Sequence, residues 1–109
     1  MNKIKLIINN ETKKNEREKF FIKKELQSIL NLYAKMVSNG SWKDYSFTSG
    51  IKEVSFDVYQ RASEKPVLRI LKNLKPKYFN EKYLIKDKNG AILKKSENLN
   101  QLINLKILN

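Results

Sequence analysis

Only three of the 23 basic residues are arginine, and two of those, Arg61 and Arg69, fall within one short stretch. Arginine carries a planar, bidentate fork that lysine cannot imitate, so two arginines together mark a place that wants a guanidinium. If residues 53–72 fold as a hairpin turning near Ser63 and Glu64, Tyr59 lies opposite Arg69 and Arg61 lies near Val67. Asp57, Tyr59, Arg61 and Arg69 then share one face of the sheet, with Glu64 at the tip. Two chemistries suit that set. One is a structural arginine–carboxylate network, Arg69 to Asp57 or Arg61 to Glu64. The other is an anion site for a phosphate or a partner's carboxylate. A second cluster, Trp42, Asp44 and Tyr45, offers either a core anchor with a bonded indole N–H or a platform on which a base stacks.

Most enzyme chemistries lack their residues. With no cysteine and no histidine there is no disulfide, no thiol chemistry, no Cys/His metal site and no histidine base. Gly40, Gly50 and Gly90 stand too far apart for a glycine-rich phosphate loop. Glu16 and Glu18 form the one close carboxylate pair, in a polar stretch unsuited to tuning a pKa. The chain is therefore read as non-catalytic, with no cofactor and no metal.

The net charge of +12 attracts polyanions or an acidic partner. Twenty of the basic residues are lysine, alongside 13 asparagines and 11 isoleucines. All three types have AT-rich codons, so part of the charge is compositional. Apolar runs stop at three residues, as at Leu6-Ile7-Ile8, which predicts no membrane insertion and no secretory segment. A cytoplasmic location follows as the expectation.

These residues need elements to hold them. Residues 1–19 read as a variable charged segment, with a loose edge strand over residues 3–8 and a polar linker after it. Residues 20–109 read as one α+β domain. The spacing of Ile22, Leu26, Ile29, Leu30, Tyr33, Met36 and Val37 predicts a long helix from Phe21 to Ser38, stopped by Asn39-Gly40. Residues 41–50 read as a connection. Alternation predicts strands over 53–61 and 67–72, and Lys75-Pro76-Lys77 breaks the second. Residues 83–87 and 91–95 flank Asn89-Gly90, a hairpin turn. Ser96 is the expected N-cap of a short C-terminal helix through Leu99, Leu102, Ile103 and Ile107. The predicted fold is a long N-terminal helix, an antiparallel meander of four to five strands and a short C-terminal helix.

Two blocks resemble a small bacterial family, a domain of unknown function numbered 2794 in its series. Gly40-Ser41-Trp42-Lys43-Asp44-Tyr45 is similar to that family's "GEWRDY" signature, after a helix carrying Leu26, Ile29 and Tyr33. Phe56, Val58, Arg61-Ala62-Ser63-Glu64, Pro66 and Arg69-Ile70 resemble its "FxVxRRASExPLYRIxK" stretch. Ser41, Lys43, Gln60 and Leu68 depart from those patterns. The resemblance covers residues 20–108 and implies no activity. Two functions are carried forward: a protein-interaction or regulatory adaptor, and a basic module for nucleic acid or ribonucleoprotein. The expected binding residues are Trp42, Asp44, Tyr45, Tyr59, Arg61, Glu64 and Arg69.

Overall fold

Glu25, Ile29, Leu32 and Met36 recur every three or four residues, so they line one side of helix α1, Lys23–Ser38. A computed structural model describes residues 18–61 and 65–104 of the chain. The N-cap of α1 is Ile22, which has no capping side chain. Glu25 makes the reciprocal bond of a capping box instead: its Oε1 takes the Ile22 backbone N–H at 2.8 Å. The helix ends where expected. Gly40 adopts φ +84°, and the Ser41 N–H returns to the Met36 carbonyl at 2.9 Å. The apolar stripe is turned slightly from its predicted position. Ile22, Leu30 and Val37 lie partly in solvent, whereas Leu32 packs on the core.

Five antiparallel strands follow in sequence order: β1 (Asp44–Ser49), β2 (Glu53–Tyr59), β3 (Leu68–Asn73), β4 (Tyr83–Asp87) and β5 (Ile92–Ser96). β1 occupies residues read above as a connection. Its alternation, Tyr45 and Phe47 against Ser46 and Thr48, is a two-sided strand pattern on a short segment. The β2–β3 register places Asp57 opposite Arg69 and Val58 opposite Leu68. Expected and observed registers differ by two residues, and a shift of two keeps every side chain on its face. At the β4–β5 turn Gly90 has φ +85°, and Asp87 Oδ1 accepts the Asn89 and Ala91 N–H groups at 2.9 Å each.

The short helix α2, Leu99–Ile103, is capped by Asn98 rather than Ser96. Asn98 Oδ1 accepts the Gln101 N–H at 3.0 Å, while Ser96 Oγ takes the Asn98 N–H. Both helices pack on the same face of the sheet. Ile29 and Met36 of α1 join Leu99 and Leu102 of α2 in one core with Val54, Phe56, Val58, Ile70, Tyr83 and Ile85. The expected α+β class and element order are those observed. The expected edge strand at residues 3–8, most of the polar linker, the tip residue Glu64 and Ile107 lie outside the described residues.

Candidate functional site

The sheet face away from the helices carries Arg69 and its partners. β2 presents Ser55, Asp57 and Tyr59 there, β1 presents Asp44, Ser46 and Thr48, and β3 presents Arg69. Asp57 is 3% exposed, and its carboxylate is fully engaged. Oδ1 accepts from Ser55 Oγ at 2.7 Å and from Arg69 Nε at 2.9 Å, and Oδ2 accepts from Thr48 Oγ1 at 2.6 Å. Arg69 Nη2 also donates to Ser55 Oγ at 2.9 Å. A nearly buried carboxylate needs such partners, because desolvating it alone is costly. Of the two chemistries open to this face, the arginine–carboxylate network is the one formed. Tyr59 and Ser46 share a hydroxyl–hydroxyl bond at 3.1 Å. Lys65, Pro66, Lys88 and Asn89 rim a shallow groove beside Arg69.

Of the seven expected binding residues Glu64 lies outside the described residues, and five of the others fall on two sides of the sheet. Asp44, Tyr59 and Arg69 share the far face, with Asp44 directly paired to Tyr59. Trp42 and Tyr45 belong to the helix side. Trp42 is 5% exposed within the core, its ring 6.3 Å from that of Tyr33. Arg61 is exposed just beyond the end of β2.

Tyr45 instead belongs to a ladder of rings along the outer edge of the sheet. Its centroid lies 4.8 Å from Tyr33 and 5.7 Å from Phe47, and Phe47 lies 5.2 Å from Phe20. Tyr33 donates its hydroxyl to the Lys43 carbonyl at 3.1 Å, and its pKa is raised, chiefly by desolvation and then by Asp44. All six residues of β1 are exposed. Val58 O accepts from Val67 on the β3 side, and Tyr59 O accepts from Lys43 on the β1 side. Backbone direction alternates along a strand, so Ser46 and Thr48 bond toward β2 while Tyr45, Phe47 and Ser49 turn their N–H and C=O groups outward. The Tyr45 N–H is taken by Asp44 Oδ1 at 2.8 Å. Among the described residues no strand pairs with that edge.

A second buried polar cluster escaped the sequence reading. Lys72, 0% exposed, extends its Nζ on the helix side to Glu25 Oε1 at 2.8 Å, Glu18 Oε1 at 2.6 Å and the Phe20 carbonyl at 3.1 Å. Tyr83 donates its hydroxyl to Glu25 Oε2. Its pKa is strongly raised, first by burial and then by the bond to Glu25 and the charges of Glu25 and Glu18. The signal was parity: Lys72 stands two residues after the inward Ile70, and Glu25 four before the inward Ile29. Among the described residues no group of His, Cys, Asp or Glu could hold a metal, and no helix is long and apolar enough to cross a membrane.

Fold and site together define an α+β protein with two helices on one face of a five-stranded antiparallel meander, and with polar groups satisfied in two internal networks. A family model described as "Protein of unknown function (DUF2794)" matches residues 19–103. The chain belongs to that family. No curated protein and no solved structure matches it.

Proposed function

We propose that the protein is a non-catalytic interaction module, a regulatory adaptor that receives an extended, acidic segment of a partner protein along β1. The observation that carries the reading is the contrast between the two sheet edges. β5 is guarded by Lys94 and Lys95, the usual defence against unwanted strand pairing. β1, Asp-Tyr-Ser-Phe-Thr-Ser, has no lysine and no proline, and its outward backbone groups lie beside the ladder of rings. An added strand would gain main-chain bonds from that edge and side-chain contacts from Tyr45 and Phe47. A chain of net charge +12 favours an acidic segment.

Other features support a role without catalysis. Among the described residues each buried carboxylate has its oxygens occupied: Asp57 by Arg69, Ser55 and Thr48, and Glu25 by Lys72, Tyr83 and the Ile22 N–H. The nucleic-acid alternative has less support, since Trp42 sits in the core and Arg69 is spent on Asp57 and Ser55. A bacterial cytoplasmic setting is part of the proposal, with which a cysteine-free chain is compatible. The test is selection from a random peptide library on the full chain, followed by affinity measurements on variants. Acid-rich, extended peptides are expected. Phe47→Lys should weaken them about tenfold or more, and Leu93→Lys on β5 should not. Equal affinity for the wild type and Phe47→Lys, with circular dichroism unchanged, contradicts the proposal.

A further inference from the structure

In an up-and-down meander the β1–β2 and β3–β4 connections emerge at the same end of the sheet. Among the described residues the most exposed large apolar side chains are gathered there. Ile51, in the β1–β2 turn, is 86% exposed; Phe79 and Tyr78, in the β3–β4 connection, are 82% and 58% exposed. The two connections are tied together, with the Leu74 N–H donating to the Lys52 carbonyl at 2.8 Å. Ile51 and Leu74 line a common depression with Gly50, Lys19 and Lys75.

The charge around these side chains is basic. Lys19, Lys52, Lys75 and Lys77 are all exposed. Of the acids at this end, Glu18 meets the buried Lys72, Glu81 lies 3.6 Å from Lys95, and Glu53 stands half-buried at the start of β2 beside Lys52. Lys77 sits over the Tyr78 ring, 5.9 Å from its centroid. Ile51 borders that depression while Phe79 and Tyr78 protrude beside it, an uneven apolar surface that suits a soft apolar phase better than a rigid partner. A collar of lysines supplies the attraction to an anionic headgroup layer.

We propose that this end of the sheet docks on an anionic lipid surface. Ile51 and Phe79 reach into the interfacial region, Tyr78 lies at headgroup level, and Lys52, Lys75 and Lys77 pair with lipid phosphates and carboxylates. The contact is adsorption through loops, and the β1 edge stays free beside it.

The experiment is vesicle co-sedimentation with the full chain. One set of vesicles is half phosphatidylserine and half phosphatidylcholine; the other is phosphatidylcholine alone. Binding to the first set only is expected, weakening as salt rises. The double variant Ile51→Asp, Phe79→Asp should lose about tenfold or more in partitioning. Both positions are almost wholly exposed, so folding is preserved. Lys88→Glu, at the opposite end, makes the same charge change as Lys75→Glu and should bind clearly better than it. Phe47→Lys should bind vesicles like the wild type. A Phe79→Trp variant should show a blue-shifted emission on the anionic vesicles, over the constant signal of the buried Trp42. The proposal is overturned if the wild type does not sediment. It is equally overturned if the Ile51/Phe79 double variant sediments like the wild type, or if Lys88→Glu and Lys75→Glu weaken binding equally, because adsorption then follows net charge alone.

Discussion

Lys72 and Glu25 behave as one unit, and so do Arg69 and Asp57. Removing one member of a buried pair strands the other's charge, which costs about 3–5 kcal/mol. Lys72→Ala and Arg69→Ala should therefore each lower the urea midpoint steeply, whereas a volume-matched apolar replacement of both partners should recover much of the loss. A small loss for Lys72→Ala would remove the Glu25–Lys72–Tyr83 network from the account of stability. Tyr83 adds a pH dependence of known sign. Its folded pKa is raised above 10, so the unfolded chain gives up this proton first. Its contribution is complete below about pH 10 and is lost as pH rises further. Tyr83→Phe should flatten that alkaline loss relative to the wild type, as read from stability at pH 9 to 11. The Arg69–Asp57 pair was legible in the sequence because arginine is rare here and the strand parity is clear. The Glu25–Lys72 pair was not, because its partners are far apart in the chain and a charged residue is ordinarily read as solvated.

At the scale of elements, turns and helix stops announced themselves where chemistry is local, although the cap of α2 falls on Asn98 rather than on the expected Ser96. Asn39-Gly40 and Asn89-Gly90 stop a helix and close a hairpin as their residue types require. Gly90→Ala should cost about 1–2 kcal/mol from backbone strain alone, since a Cβ there meets no neighbour. Differential scanning calorimetry would show it, and an unchanged midpoint would contradict the positive φ. Replacing Asn98 by Ala should cost about 1 kcal/mol, loosening α2 and the cover it gives to Leu99 and Leu102. The strand β1 was missed because half of its residues are small hydroxyl types, which also suit loops, and none is buried. What makes β1 a strand is pairing with β2 and packing of Tyr45 and Phe47 on Tyr33, Phe20 and Phe56, contacts that no local pattern records. The same long-range origin explains the two-residue register shift at Asp57 and Arg69: the loop between the strands left the alignment unpinned, while parity preserved the face.

Across the whole molecule, polarity is arranged in three zones. The helix face holds the core and an ionic network around the buried Lys72, the far face holds a satisfied arginine–aspartate network, and no described strand pairs with the outer edge of β1. The net charge of +12 acts over all of them, so any acidic ligand should bind less tightly at high salt. Composition made that charge visible and hid its distribution; only the fold separates the basic loop end, with Ile51 and Phe79, from the uncharged stretch Tyr45–Ser49. The most direct test of the interaction edge is amide hydrogen exchange by NMR with a selected acidic peptide bound. Phe47 and Ser49 have outward N–H groups and should exchange readily in the free chain. Strand addition predicts that both become protected about tenfold or more, while the Ile92 and Leu93 amides of β5 do not change. Protection confined to β5 or to the far face, with Phe47 and Ser49 still exchanging freely, would contradict the account.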